Sequence, residues 1–243
     1  MRLKAVIAYD GSDYFGFQKQ TSTSKTIAST IEKALSSLGI SSPIVASGRT
    51  DAGVHASGQV IHFDVPYFWK DLDKLKLNLN RKLSDIVFKY ICEVEKDFHA
   101  RFSAKKRVYR YVFKTSKVSV FEQKYISSYK KFNSLKLEEA LECFVGEHDF
   151  DFFRKTGTIT HTSVREIYQT SYVKRGEYHF IYFKANSFLR SQIRMMVAVT
   201  LDYAQDKTTL KAIKEQLACQ NKHSTSLAPP QGLYLATIIY KTN

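Results

Sequence analysis

Arg49 and Asp51 sit in a run, Gly48 to Val60, that reads GRTDAGVHASGQV. Gly48, Gly53 and Gly58, with Ala52, Ala56 and Ser57, keep its side chains small, so the backbone can turn tightly and a bulky planar group can come close. An ionised aspartate in such a loop can act as a nucleophile or a base, or it can cap a turn, and the residue alone leaves these roles open. Arg49, two positions away, could keep that carboxylate charged or grip a phosphate. The surrounding chain sharpens the question. It carries 37 Lys and Arg against 23 Asp and Glu, a formal net charge of +14. A chain so basic is expected to meet a polyanion, and an acid facing a polyanion weakens binding unless it does chemistry or holds a turn.

The positive charge is spread along the chain, with denser spots at Lys105, Lys106, Arg107 and Arg110 and again at Arg190 and Arg194. These are expected to contact phosphates, against the alternative of a solvated surface. Cys92, Cys143 and Cys219 are odd in number and form no CxxC pair, so neither a disulfide framework nor a thiolate metal site is indicated. The seven histidines show no ligand spacing, and no HExxH, HxE with PCxxC or GxxxxGK[ST] run occurs, which disfavours metal-dependent and P-loop chemistry. A glycosidase would need two positioned carboxylates where this motif offers one. The apolar run Ala5 to Ala8 is far below signal-peptide or membrane-span length, and a cytoplasmic protein with no membrane partner is expected.

Hydrophobic periodicity predicts the elements that must position these residues. A strand over Leu3 to Tyr9 is followed by a helix over Thr26 to Leu38, closed by Gly39, and by strands over Pro43 to Ser47 and Gln59 to Val65 that flank the aspartate loop. Asp71 to Leu83 is ambiguous, since Leu72, Leu75 and Leu79 suit a helix while Leu75, Leu77 and Leu79 suit a strand. We read it as a helix before a strand over Ile86 to Val94. The second half is expected to repeat the order. It has a strand over Arg107 to Lys114, a helix over Ser134 to Val145 and a hairpin of Val164 to Val173 with Tyr178 to Lys184. Helices over Phe188 to Tyr203 and Thr209 to Leu217 follow, then a strand over Leu233 to Tyr240. Two βαββαβ halves, 1–104 and 105–243, predict an α/β protein of the α+β type. Its central sheet would be mixed and mainly antiparallel, with helices on one face and a cleft at the junction.

The run around Asp51 closely resembles the GRTDAGVHA signature of the tRNA pseudouridine synthase A family. Further blocks of that resemblance span nearly the whole chain: YDGSDYFGFQKQ (Tyr9 to Gln20), GQVIHFD (Gly58 to Asp64), DFHARFSA (Asp97 to Ala104), VYRY (Val108 to Tyr111), GEHDFDFF (Gly146 to Phe153), KANSFLRSQIR (Lys184 to Arg194) and APPQGLYL (Ala228 to Leu235). The resemblance implies that Asp51 is the essential aspartate and Arg49 the motif arginine. It also implies that Tyr109 stacks beside the target uracil and that Arg194 pairs with the aspartate. By pattern alone, Tyr109 with Tyr111 and Phe113 would be the core face of a strand, and Arg190 with Arg194 a basic stripe on a helix. The resemblance further implies a cofactor-free isomerisation of uridine in the anticodon stem-loop of tRNA, carried out by a homodimer. Ala28, Phe17, Met195 and Ala198 depart from the family pattern without touching the aspartate motif. The other reading of the same residues is a noncatalytic RNA-binding module in which Asp51 only shapes its loop.

Overall fold

Leu3, Ala5, Ile7 and Tyr9 alternate with half-exposed neighbours, and that period of two makes the first strand, β1 (Arg2–Tyr9), with its apolar side buried. The structure is a computed structural model and describes residues 1–157 and 160–241. After β1 come α1 (Ile27–Ser36), β2 (Val45–Ala46), β3 (His55–Asp64), α2 (Leu72–Lys82) and β4 (Ile86–Glu93), then β5 (Lys106–Lys114), β6 (Ser127–Ser128), α3 (Ser134–Glu142) and β7 (Gly146–Asp149). The chain ends with β8 (Val164–Arg175), β9 (Tyr178–Ala185), α4 (Gln192–Ala204), α5 (Leu210–Leu217) and β10 (Leu233–Ile239). The strand pairings described below are mainly antiparallel, which is the mixed architecture expected from the sequence.

The chain divides into two compact units, one of Met1–Lys105 joined by the segment from Tyr234 onward, the other of Lys106–Leu233. In the first unit β1 pairs antiparallel with β4 on one side and β3 on the other. The short β2 lies antiparallel to β3 (Val45 opposite His62), and β10 runs parallel to β3 through Tyr234 and Leu235. The last strand was expected to complete the second half. From Tyr234 onward it lies with the first unit, beside β3. The approach of the two strands needs Gly58, since a Cβ there would lie 2.3 Å from the Ala236 carbonyl oxygen. Thr26 caps α1 by accepting the Ser29 N–H, and Asp71 caps α2 by accepting the Lys74 N–H. Leu75 and Leu79 are fully buried while Leu77 is 50% exposed, and only a helix puts the first two on one face and the third on another.

In the second unit the order is β5-β9-β8-β7, all antiparallel, with β6 parallel to the end of β5. The β8–β9 turn is made at Gly176, whose φ is +60°. Helix α4 is buried almost throughout and begins at Gln192, four residues later than periodicity predicts. The Gln192 side chain explains the delay. Its Oε1 accepts the Leu189 N–H at 2.8 Å, which holds 189–191 in a turn that ends at Ser191 with φ +59°. Sequence reading missed β6 and β7, which are only two and four residues long. Among the described residues no helix is long and apolar enough to cross a membrane.

Candidate active site

The Asp51 loop joins β2 to β3, and its partner is the segment that leaves β1. The β1–β3 register shifts between Ile7 and Tyr9, opposite Gln59 and Ala56, so the strands part there and the chain from Tyr9 to Phe17 folds against the loop. Thr50 is fixed twice. Its Oγ1 lies 2.8 Å from the Tyr9 hydroxyl, and its carbonyl oxygen accepts the Phe17 N–H at 3.1 Å. Burial pushes the Tyr9 phenol well above its ordinary range, so it stays protonated and available for that bond. Past Asp51, the Gly53 N–H reaches the Tyr14 carbonyl at 3.4 Å, and the Val54 N–H closes a turn on the Asp51 carbonyl at 3.2 Å. On the near side, Gln59 Nε2 donates to the Gly48 carbonyl at 2.8 Å.

Two glycines let these segments meet. A Cβ at Gly11 would lie 2.1 Å from the Val54 carbonyl oxygen, and one at Gly16 would lie 2.9 Å from the Thr50 oxygen in a backbone already at φ +99°. His55, at the start of β3, is buried. Its Nδ1 accepts the Gly11 N–H at 3.1 Å and lies 3.2 Å from Asp10 Oδ1, and its ring stacks 4.8 Å from Tyr234. The histidine therefore satisfies the backbone of the segment that leaves β1. The backbone on both sides of Asp51 is thus tied to neighbouring strands while its side chain stays partly open, and Arg49 beside it is exposed.

The remaining sequence-predicted residues lie near the unit boundary or in the second unit. Lys105 is exposed, and its N–H donates to the Ile239 carbonyl at 2.8 Å in the first unit. On β5, Tyr109 shares the buried face with Arg107, Tyr111 and Phe113, and its ring meets Phe188 edge-on at 5.2 Å. Arg107 Nη1 donates to the Asn186 carbonyl at 2.5 Å, while Arg110 is half-buried on the alternate face. Arg194 lies in α4, where its Nε donates to the Ala228 carbonyl at 2.7 Å and the Ala228 N–H returns a bond to the Arg194 carbonyl at 3.0 Å. Its charge bears on the Tyr111 and Tyr129 hydroxyls, and burial pushes the Tyr111 phenol up to about 12. Arg49 and Asp51 share one loop, and Tyr109, Arg107, Arg110 and Arg194 share the other unit. Among the described residues no group of three or more His, Cys, Asp or Glu is placed to hold a metal ion.

Sequence reasoning assigned no role to the loop's braces, Tyr9, Gly11, Tyr14, Gly16 and Thr50. The only available signal was the block Tyr9 to Gln20, which marks them as a segment without saying what they touch.

A family model described as tRNA pseudouridine synthase matches residues 5–103 and 140–241. The chain belongs to the tRNA pseudouridine synthase family. It is accordingly an isomerase that acts on tRNA. The synthase is 38% identical over 241 residues to the tRNA pseudouridine synthase A of Campylobacter jejuni, covering 99% of this chain and 100% of that one. It is 37% identical over 249 residues to the tRNA pseudouridine synthase A of Lactococcus lactis, covering 100% and 98%. A crystal structure of a Cbf5-Nop10-Gar1 complex aligns at 10% identity and a TM-score of 0.36, over 82% of this chain and 45% of that one. Arg49, Asp51 and Arg194 lie within the matched stretches, whereas Lys105, Arg107, Tyr109 and Arg110 fall between them.

Proposed function

We propose that this synthase isomerises uridine to pseudouridine in the anticodon stem-loop of tRNA, with Asp51 as its essential carboxylate. The observation that carries the reading is the clamping of Thr50 and Val54 on either side of Asp51, which holds one carboxylate in a loop of small side chains. In the reaction the C1′–N1 bond breaks, the freed uracil turns, and a C1′–C5 bond forms. The C5 hydrogen leaves as a proton and N1 ends protonated, so product and substrate are isomers. The detached uracil carries negative charge, which hydrogen-bond donors must stabilise and a closed site must retain. Asp51 can serve by adding to C6, by attacking C1′ or by removing a sugar proton, and each route needs one acid within reach of the nucleoside. The target base must also leave its stack, which costs less in a loop or at a stem end than within a helix.

Tyr109 is the base-facing tyrosine in this reading, Arg49 and Arg194 are the supporting arginines, and Lys105, Arg107 and Arg110 serve the phosphates. Their support is the match to the family's sequence blocks together with the net charge of +14. The reading extends to a homodimer working in the cytoplasm without a cofactor or metal, again on the strength of a family match across the whole chain.

The test uses unmodified tRNA carrying tritium at C5 of uridine. Wild-type protein is expected to release tritium from anticodon stem-loop uridines, while Asp51→Ala binds the tRNA with unchanged affinity and releases none. Binding by both proteins with release by neither would overturn the catalytic assignment and favour an RNA-binding module.

A further inference from the structure

Phe102 ends a short turn after β4 and is 74% exposed. Exposed phenylalanines are common, but this one stands on a built support. The His99 N–H donates to Ser103 Oγ at 3.1 Å, and the Ser103 N–H returns to the His99 carbonyl at 2.9 Å, closing the turn. Inside it, His99 Nδ1 accepts the N–H groups of Arg101 at 3.2 Å and Phe102 at 3.3 Å. His62 Nδ1 accepts the Ala100 N–H at 3.1 Å, and the Tyr240 hydroxyl donates to the Ala100 carbonyl at 2.7 Å. Every backbone N–H from His99 to Ser103 and the carbonyls of His99 and Ala100 are therefore occupied, and the Phe102 side chain is presented from a fixed base.

The surroundings have the chemistry of a base platform. The His99 ring lies 4.3 Å from the Phe102 ring at an interplanar angle of 30°, and the Arg101 guanidinium lies 5.5 Å from the ring centre. Arg101 and Lys105 are exposed cations within three residues of Phe102. The acids nearby are partly offset: Asp64 forms an ion pair with Arg2, and the Asp97 charge also bears on Arg2. An exposed ring flanked by cations suits a nucleobase with its phosphates, because the base offers a π-face while the phosphates meet the charges. An apolar protein surface would match the ring and leave the cations unanswered.

We infer that Phe102 is a stacking platform for an unpaired nucleobase of the bound tRNA, with Arg101 and Lys105 on the flanking phosphates. The inference deepens the tRNA reading and rests on it. The experiment compares wild type with Phe102→Ala, Phe102→Leu and Phe102→Trp, measuring tRNA affinity at fixed salt, kcat and KM for tritium release, and elution volume without RNA. Loss of one stacked base is expected to weaken affinity and lower kcat/KM by about 5- to 150-fold through KM in Phe102→Ala. Phe102→Leu should stay weak. Phe102→Trp should restore binding, and tRNA should quench its emission above the background of Trp69, the chain's single tryptophan.

Wild-type affinity in Phe102→Ala overturns the inference, as does full restoration by leucine, which would mean a nonspecific apolar contact. A change in elution volume without a change in tRNA affinity overturns it in favour of a protein contact. If wild type binds tRNA in a Phe102-dependent way but releases no tritium, the catalytic reading fails and the platform stands. If wild type turns over and Phe102→Ala binds equally well, the platform alone fails.

Discussion

Replacing Gly11 with alanine places a Cβ 2.1 Å from the Val54 carbonyl oxygen and 2.7 Å from its carbonyl carbon. Both are backbone atoms, so no side chain can swing away. To reach even the 3.0 Å that real Cβ contacts essentially never undercut, the end of β1 and the aspartate loop must separate by about 0.9 Å, which is 3.0 less 2.1. Val54 is bonded to the Asp51 carbonyl, and the Gly11 N–H is bonded to His55, so the displacement reaches the carboxylate. Overpacking of this kind costs about 1–3 kcal/mol, and a misplacement near 1 Å lowers a rate by about 100-fold. The expected result is a melting midpoint lowered by about 2–4 °C for each kcal/mol and a kcat for tritium release down by one to two orders of magnitude on the same principle. Gly176→Ala separates position from strain. Gly176 has φ +60° and nothing within 4 Å of its would-be Cβ, so alanine there meets only the left-handed backbone cost of about 1–2 kcal/mol. Its kcat should equal that of wild type despite a lower melting midpoint. A Gly11→Ala enzyme with kcat within about twofold of wild type would refute the claim that this contact places Asp51.

Two further outcomes follow from charge. His62 is held at about pKa 4, chiefly by burial and then by the charges of Arg2 and His99, while the unfolded imidazole titrates near 6.5. Between those values the unfolded chain binds the proton and the folded chain does not, so stability falls as pH drops through that window, by at most about 3 kcal/mol. Urea unfolding from neutral pH to about 4.5 should show the fall, and His62→Gln should flatten part of it. The share left belongs in part to His179, which burial shifts in the same direction. Stability that is flat or rising toward acid in wild type would contradict the assignment. For RNA, log Kd should vary linearly with log salt, and Lys105→Gln should reduce the magnitude of the slope by roughly one contact's worth, about 0.7–0.9. An unchanged slope would place Lys105 away from the phosphates.

The Asp51 loop stood out in the sequence because its signal is local. Asp51 among glycines and alanines can be recognised wherever the chain folds, and the strands and helices around it follow from periods of 2 and 3.6. The helix over Leu72–Lys82 shows the limit of that method, since Leu72, Leu75 and Leu79 fitted a period of 3.6 and Leu75, Leu77 and Leu79 a period of 2, and only the burial of Leu75 and Leu79 with Leu77 exposed separates the two. The start of α4 was misplaced because a glutamine side chain, which no periodicity registers, ties up the preceding turn. The parallel pairing of β10 with β3 was not legible, because it joins residues 179 positions apart, as in Ala56 with Leu235.

The loop's braces were hidden for a related reason. Gly11 and Gly16 carried no role of their own in the sequence reading and Gly58 was read only as a small residue of the loop, and nothing in their neighbours tells which backbone will approach them. Their role is set by Val54, Thr50 and Ala236, which come near only after the strands have paired. The glycines thus act as sites of close approach, and the sheet supplies the rigidity that their sequence would seem to deny. The same relation holds at Phe102, where an exposed ring takes a fixed direction from two imidazoles and a tyrosine drawn from β3, the turn itself and the chain's final segment. In both places the residue itself is short-range information, and the geometry that holds it is long-range.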